Sequence, residues 1–327
     1  MAVYTELNEK QIIDFLKLYN IGKFISFHGI TEGIENTNFY LETSKGEYIL
    51  TIFEKRVDQN EVPFFINIMK HLSSKNFLCP SPIIDTKKKY LQLLQDKPAI
   101  IVSFLNGTSK TQTTDKDVFN VGSNMASMHL KSNDFIDKRR NSLSISGWNK
   151  LIISCSETIP TSTLNKIEPH ILNEIQNSFD FCKKYWPKAL PHGFIHADMF
   201  PDNVFFYDNK ISGVIDFYFS CIDILAYDLA IAINAWCFED NFVFNDKKFD
   251  SLITGYSSIR KLSEAELFYL PLLSQAAAMR FLLTRLYDWF HTPKNTNVVP
   301  KSPKEYITKL RYHSKIANNQ NYNQSIK

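Results

Sequence analysis

Residues 196–203 read His-Ala-Asp-Met-Phe-Pro-Asp-Asn, and residues 215–217 read Ile-Asp-Phe. The carboxylate of Asp198 is followed five positions later by the amide of Asn203, and thirteen positions further on by the carboxylate of Asp216. Between the last two, short apolar runs flank an Asp-Asn-Lys turn, a pattern that predicts a β-hairpin in an otherwise helical region. The fold prediction depends on this order along the chain: a loop with Asp198 and Asn203, then a hairpin, then Asp216.

These three polar residues fit the requirements of phosphoryl transfer, which needs positioning and charge neutralisation more than covalent help from the protein. Asp198 can orient an acceptor hydroxyl as the catalytic residue, and Asn203 and Asp216 can bind Mg²⁺, which prefers oxygen ligands. Taken singly, each residue can also be an ordinary turn or helix-capping residue, and their joint spacing is what favours phosphoryl transfer. His196 is expected to brace the loop rather than to act as an acid or base.

The first third of the chain carries the pattern of a β-sheet. Residues 24–54 alternate apolar and polar side chains around a Ser-Lys-Gly turn, which is typical of paired strands. Residues 57–75 have helical spacing, and 90–94 and 99–105 read as further strands. We therefore predict a nucleotide-binding lobe over residues 1–106, made of an antiparallel sheet and one helix.

The remainder of the chain is predicted to be mainly helical, and Ser263 with Glu266 forms a capping box at the start of the longest helix. A larger catalytic and substrate-binding lobe is expected over 107–317, followed by a polar, frayed tail over 318–327. The fold class is thus α+β, a two-lobed protein-kinase-like fold. The predicted helices of this lobe cover residues 118–130, 167–186, 226–237, 246–259, 263–290 and 303–316, and residues 131–147 read as a turn-rich insertion.

The loop at residues 196–203 resembles the catalytic loop of the aminoglycoside phosphotransferase and choline kinase superfamily. Longer strings, such as Asn-Ala-Trp-Cys-Phe-Glu from Asn234 and Arg-Phe-Leu-Leu-Thr-Arg from Arg280, are similar to the bacterial homoserine kinases of that superfamily. This resemblance spans about Tyr4 to His313 and implies transfer of the γ-phosphate of ATP to the side-chain hydroxyl of L-homoserine, with Mg²⁺, on the way to threonine. Choline, methylthioribose or an aminoglycoside remains an alternative acceptor, and an inactive kinase-like scaffold is the less favoured alternative.

The loop between the first strands contains the expected phosphate contacts. Gly33 and the amides of Asn36 and Asn38 lie where kinases fold a flap over the nucleotide, so backbone N–H groups and amide side chains can face the phosphates. Only two glycines are present between residues 29 and 36, so a plain hairpin loop explains the same sequence equally well.

The remaining nucleotide contacts are less standard. Thr51 occupies the mid-strand position where many kinases have a phosphate-binding lysine, and Lys55, on the same face, is the candidate replacement, with an exposed strand-end lysine as the alternative. Glu61 can pair with it or can be a solvated residue at a helix start. The backbone at Ser103 and Leu105, where a strand leads into the predicted interlobe hinge, is expected to bind adenine.

An amino-acid acceptor requires charged groups in its pocket. Arg280 and Arg285 lie on an apolar helix and can bind a carboxylate, since a guanidinium contacts it through two hydrogen bonds. An Arg285–Asp288 pair within the helix is the structural alternative, and Asp228 is expected to brace the catalytic loop. The other predicted substrate contacts are Tyr218, Asp223 and Trp236.

The amino-acid composition limits the classes of partner that the protein can have. A net charge of +3 with 22% charged residues does not favour nucleic acid or an anionic membrane as the main partner. Five scattered cysteines are typical of a reducing compartment, and no signal-peptide pattern is visible at the N-terminus. We expect a cytoplasmic enzyme whose partners are ATP and a small molecule. The sequence does not indicate an oligomeric state.

Overall fold

A computed structural model describes residues 5–30, 36–54, 58–292 and 299–322 of the chain. Two predicted nucleotide contacts, Gly33 and Lys55, lie outside these residues. The described residues form nine strands: β1 (Phe24–Ile30), β2 (Thr37–Thr43), β3 (Gly46–Ile52), β4 (Gln92–Leu94), β5 (Lys97–Ser103), β6 (His192–Ile195), β7 (Val204–Tyr207), β8 (Lys210–Val214) and β9 (Cys221–Ile224). They also form ten α-helices: α1 (Glu9–Leu16), α2 (Val62–Ser74), α3 (Asp115–Lys131), α4 (Ile145–Thr158), α5 (Thr161–Ile167), α6 (Ile171–Tyr185), α7 (Leu225–Trp236), α8 (Asp246–Ile259), α9 (Glu264–His291) and α10 (Lys304–Asn318).

Contacts between residues divide the chain into two compact units. The first comprises Met1–Ser109, Asp134–Arg139 and Val204–Tyr218, and the second comprises the rest. The predicted boundary between residues 106 and 107 lies close to Ser109, where the first segment of the first unit ends. The β7–β8 hairpin and a short piece of the 131–147 insertion belong to the first unit as well.

The first unit is built on a five-stranded antiparallel sheet with the strand order β1-β2-β3-β5-β4. Residues of β2 alternate between buried and partly buried along its length, as expected when one face of a strand covers a core. Apolar residues of α1 (Ile12, Phe15 and Leu16) join Phe39 and Leu50 of the sheet in that core. The predicted sheet lobe is confirmed, and α1 adds a helix to the single one expected.

The second unit is helical apart from a two-stranded antiparallel pair, β6 and β9. Helix α9 begins at the predicted capping box, in which Ser263 and Glu266 bond to each other's backbone N–H groups. This helix is long and apolar enough to cross a membrane, but 72% of its most apolar window is buried inside the protein, as in the core helix of a globular domain. Helices α4 and α5 and the strands β6 and β9 were not part of the prediction.

Helices α3 and α8 of the second unit approach each other through two glycines. A Cβ atom added at Gly122 would lie 2.2 Å from the carbonyl oxygen of Leu252, and one added at Gly255 would lie 2.1 Å from that of Phe119. Both distances are far below van der Waals contact, so this helix pair requires glycine at both positions. The close approach brings residues that follow Gly255 against the end of α3.

The tail that composition predicts to be frayed contains an anchored residue, Tyr322. Tyr322 is 2% exposed and its ring lies 5.6 Å from Tyr269 and 5.7 Å from Tyr185. Burial of an aromatic ring stabilises the position of Tyr322, a contribution that the polar composition of the tail does not reveal. Residues 323–327 of the predicted tail lie outside the described residues.

Candidate active site

The predicted catalytic residue, Asp198, lies in a short loop after β6 and is held by the amide of Asn203. The Nδ2 of Asn203 donates to the backbone oxygen of Asp198 at 2.8 Å and to its Oδ2 at 3.0 Å. A single 3-10 turn, Pro201–Asn203, brings the amide back over the carboxylate. With Nδ2 used in this way, Oδ1 is the atom of Asn203 that remains for a metal ion.

Burial raises the pKa of Asp198 to about 6. The positive charge of Arg280 lowers this pKa, the negative charge of Asp202 raises it, and Lys301 and the hydrogen bond from Asn203 lower it. Lys301 also pairs with Asp202 at 3.0 Å. A carboxylate with a raised pKa is a stronger base than an ordinary carboxylate, which suits it to accept a proton from a hydroxyl.

The residue before Asp198 has an unusual backbone conformation. Ala197 has φ of 62°, a left-handed conformation that residues other than glycine, asparagine and aspartate rarely adopt. Its N–H donates to Oδ1 of Asp228 at 2.8 Å, and its carbonyl accepts from the guanidinium of Arg280 at 2.6 Å. The loop is thus held on both sides of one strained residue.

Asp228, near the start of α7, braces the loop as predicted. Its Oδ2 accepts the N–H of His196 at 2.9 Å and lies 3.0 Å from Nε2 of His129. These hydrogen bonds outweigh the desolvation of the fully buried carboxyl, so its pKa lies below the ordinary value. Asp228 is ionised while it holds the two loop amides.

Arg280, the predicted carboxylate-binding residue, is 3% exposed and bonds to the loop. Its guanidinium lies over the rings of Phe281 at 4.1 Å and Phe219 at 5.6 Å. One of its donors therefore supports the backbone of Ala197. A contact with the substrate stays a prediction.

Arg285 and Asp223, two further predicted substrate contacts, have protein partners. Arg285 pairs with Glu305 of α10 at 2.5 Å and lies 4.4 Å from the ring centre of Tyr306. Asp223 accepts a hydrogen bond from Asn141 at 2.7 Å. The ion pair between Arg285 and Glu305 joins α9 to α10, and the Arg285–Asp288 pair stays an alternative.

A cavity of about 600 Å³ lies in the second unit beside the catalytic loop. Trp236, a predicted substrate contact, lines it, and the indole N–H of Trp236 donates to the backbone oxygen of Met199 at 2.7 Å. Both signs of charge line the cavity, including Lys248, Lys309, Glu239 and Glu305. Such a lining suits a ligand that carries an ammonium and a carboxylate group.

The second predicted metal ligand, Asp216, follows β8 in the first unit and has φ of 64°. Tyr218 lies two residues further on, with its ring 5.2 Å from Phe53 and 5.6 Å from Phe65. Burial and the charge of Asp216 raise the pKa of Tyr218, whose hydroxyl bonds to the side chain of Thr51. Tyr218 stays a predicted substrate contact, and its phenol is neutral.

The described nucleotide contacts also lie in the first unit. Thr51 donates to Oδ1 of Asn38 at 2.7 Å, so the usual lysine position is occupied by a buried hydroxyl. Asn36 is 4% exposed, and within the described residues its Nδ2 has no hydrogen-bond partner. The hydroxyl of Ser103 accepts the N–H of Ser81 at 2.9 Å, and the side chain of Leu105 packs over Gly213 of β8.

Sequence reasoning missed Arg139. Its Nε and Nη2 atoms donate to Oε2 of Glu61 at 2.8 and 2.6 Å, and its guanidinium lies 5.1 Å from the ring centre of Phe65. Glu61 is therefore paired with the 131–147 insertion rather than solvated. The signal in the sequence is the adjacent pair Arg139 and Arg140 inside a polar insertion, but no periodicity indicates the element that such a loop contacts.

The described residues contain no group of three or more His, Cys, Asp or Glu side chains arranged to hold a metal ion. Asn203 and Asp216 supply an amide and a carboxylate oxygen, the donor chemistry that Mg²⁺ prefers. In kinases most of the remaining ligands are phosphate oxygens and water. The donor types of these two residues match the preference of Mg²⁺, and their role as metal ligands stays a prediction.

A sequence model of the phosphotransferase enzyme family matches residues 26–262. The chain belongs to this family. The homoserine kinase of Agrobacterium fabrum is 47% identical over 318 residues, covering 97% of each chain, and that of Paramagnetospirillum magneticum is 47% identical over 322 residues, also covering 97% of each. An amicoumacin kinase solved with AMP-PNP and Ca²⁺ superposes with a TM-score of 0.71 at 14% identity, covering 98% of this chain and 97% of that one.

The family assignment confirms the predicted fold class. The similarity to the solved amicoumacin kinase shows the fold alone, because the two sequences are too different to share an acceptor by inference. The phosphotransferase family match includes the catalytic loop, the β7–β8 hairpin and Asp216.

Proposed function

We propose that the protein transfers the γ-phosphate of ATP to the side-chain hydroxyl of L-homoserine and releases O-phospho-L-homoserine, a step toward threonine. The observation that carries the proposal is Asp198, held by Asn203 in a braced loop, with a pKa raised to about 6. Relatives named homoserine kinase, 43–47% identical over nearly the full length of both chains, support the choice of acceptor.

Asp198 orients the acceptor hydroxyl and accepts its proton as the new P–O bond forms. Asn203 and Asp216 are the proposed ligands of Mg²⁺, which when bound neutralises the phosphate charge. The acceptor hydroxyl loses its proton late in the transfer. In a loose transition state the bond between the nucleophile and phosphorus is only weakly formed, so the hydroxyl becomes acidic late. The proposed nucleotide contacts are Gly33, Asn36, Asn38, Lys55 and the backbone at Ser103 and Leu105.

The cavity at Trp236 is the proposed position of the amino-acid part of the acceptor. Pro201, three residues after Asp198, lines it, so a ligand there lies beside the catalytic loop. Lys309 is 3% exposed, and its ammonium bonds to the Asn234 carbonyl and to Glu305, both at 2.5 Å. An ammonium has three N–H groups, so one remains for a carboxylate. Tyr218, Asp223 and Arg285 are the other proposed acceptor contacts. For Arg280 the proposed role is support of the Ala197 carbonyl, and a contact with the acceptor carboxylate is the alternative.

A cytoplasmic location is part of the proposal. The substrates ATP and homoserine are both soluble, and the five cysteines of the chain are all buried as free thiols. Small buried thiols of this kind are compatible with a reducing compartment.

A coupled ADP-release assay with Mg²⁺ tests the acceptor. Homoserine, choline, methylthioribose and an aminoglycoside are compared at equal concentrations, and turnover is expected with homoserine well above the other three. Turnover with another acceptor and none with homoserine would overturn the assignment while leaving a kinase. A reaction without any ADP release would overturn the kinase function itself.

A further inference from the structure

The catalytic loop is connected by a continuous chain of hydrogen bonds to the junction of α8 and α9. The chain begins at Asp228, which holds the amides of His196 and Ala197, and continues through Nε2 of His129 at 3.0 Å. Nδ1 of His129 lies 2.8 Å from the hydroxyl of Tyr256. The side chains of His129 and Asp228 are both fully buried.

Arg260 and Glu266 form the far end of the chain. The Nη1 of Arg260 lies 3.2 Å from the hydroxyl of Tyr256 and 2.9 Å from Oε1 of Glu266. Glu266 in turn caps α9 through Ser263. The Arg260 side chain is 13% exposed and that of Glu266 is 2% exposed, so the chain runs from the edge of the protein into its core.

One assignment of donors and acceptors satisfies every hydrogen bond of this chain. Asp228 is a pure acceptor and arginine is a pure donor, which sets the two ends. Arg260 then donates to the Tyr256 oxygen, the Tyr256 hydroxyl donates to Nδ1 of His129, and Nε2–H of His129 donates to Asp228. A neutral imidazole protonated on Nε2 satisfies every bond, so each member fixes the orientation of the next.

We propose that Tyr256 and Arg260 are positioning residues for phosphoryl transfer, which act through His129 and Asp228 on the backbone at Ala197. Neither residue is part of the catalytic loop or lines the cavity at Trp236. Ala197 has the left-handed conformation that must be stabilised from outside, and it directly precedes Asp198. The proposal rests on the proposed function, because Asp198 is taken to be the catalytic residue.

Loss of the Tyr256 hydroxyl has a definite consequence. Nδ1 of His129 becomes a buried acceptor without a donor, and the imidazole can recover a partner only by rotating away from Asp228. The carboxylate of Asp228 then loses one of its three supports, and the strained Ala197 peptide can relax. Asp198 moves with it, whereas the groups that bind ATP and the acceptor are unchanged.

Steady-state kinetics of Tyr256→Phe with Mg-ATP and homoserine test the proposal. We expect kcat to fall about tenfold, with both KM values within about twofold of the wild type. The matched control is Tyr227→Phe: Tyr227 is also fully buried and lies beside Asp228 on α7, but its hydroxyl has no hydrogen-bond partner among the described residues. Its kcat should stay within about twofold of the wild type.

Two substitutions of His129 test whether its hydrogen bond to Asp228, rather than its volume in the core, supports the loop. Gln at position 129 can still donate to Asp228 from its terminal amide, whereas Asn is too short and reaches only the Tyr256 side. His129→Gln should therefore retain more of the wild-type kcat than His129→Asn. Equal losses in both variants would overturn the positioning role.

Amide hydrogen exchange supplies a readout that does not need activity. Exchange at the His196 and Ala197 amides should be faster in Tyr256→Phe and in Arg260→Gln than in the wild type, and unchanged in Tyr227→Phe. Arg260→Gln decides the question if Tyr256→Phe does not fold. Wild-type kcat and unchanged exchange would overturn the proposal, whereas an inactive wild type with altered exchange in the variants would overturn only the proposed function.

Discussion

The catalytic loop and helix α9 both contribute polar side chains to the site, but their partners differ in distance along the chain. Asn203 bonds to Asp198, five residues away, whereas Arg280 bonds to Ala197, 83 residues away, and Arg285 to Glu305, 20 residues away. The contact between Asn203 and Asp198 forms within the loop, whereas Arg280 of α9 supports the loop from outside. A short-range motif can therefore carry the chemistry while a distant helix determines how rigidly it is held.

The first way to test this contrast is to remove the carboxylate of Asp198. Asp198→Asn should lower kcat by at least about 1,000-fold, because the amide cannot accept the hydroxyl proton, while nucleotide affinity stays near the wild type. Rapid-quench turnover and nucleotide titration measure the two effects.

Asp202→Asn is the matched control on the same loop. Asp202 is exposed and pairs with Lys301, so its loss should change kcat by less than about threefold. Near-normal turnover in Asp198→Asn would remove Asp198 from the catalytic role.

A substitution on α9 gives the next largest effect. Arg280→Gln should lower kcat about tenfold and leave the KM for homoserine nearly unchanged, because the Ala197 carbonyl loses a charged donor. Arg285→Gln, at the same helix but paired with Glu305, should have the smaller effect on kcat. A rise in the KM for homoserine, without one for ATP, would instead identify Arg280 as the predicted carboxylate-binding residue.

The dependence of kcat on pH tests how residues outside and inside the loop, Arg280 and Asp202, act on Asp198. In the proposed mechanism Asp198 acts in its ionised form. Burial raises its pKa to about 6, so kcat should fall as the pH drops through about 6. Arg280 favours the ionised form, so Arg280→Gln should move this acid limb to higher pH; Asp202 disfavours it, so Asp202→Asn should move the limb to lower pH. An acid limb near pH 4 in the wild type would contradict the assignment.

The smallest effect is expected in the cavity. Lys248→Met should raise the KM for homoserine about fivefold and leave that for ATP unchanged, because a cation near the acceptor carboxylate is lost. Lys247→Met, one residue earlier on α8 and exposed, is the control for the change in net charge. Equal KM values in the two variants would place the acceptor outside the cavity.

Different parts of the molecule were predictable to different degrees. The sheet, the capped start of α9 and the loop–hairpin–Asp216 order were readable because period-two alternation, capping boxes and motif spacing are all local. The pairing of Arg139 with Glu61, the anchoring of Tyr322 and the partners of Arg280 and Arg285 were not, since each joins segments far apart in the chain.

The sequence by itself determined which residues are proposed for the chemistry of this protein. Asp198, Asn203 and Asp216 are proposed from their joint spacing, because phosphoryl transfer needs few protein groups. Only the tertiary structure decided which side chains hold the loop that carries Asp198. Two glycines bring α8 against α3, and Tyr256, His129 and Asp228 then meet, which depends on helix packing rather than on neighbours in the chain.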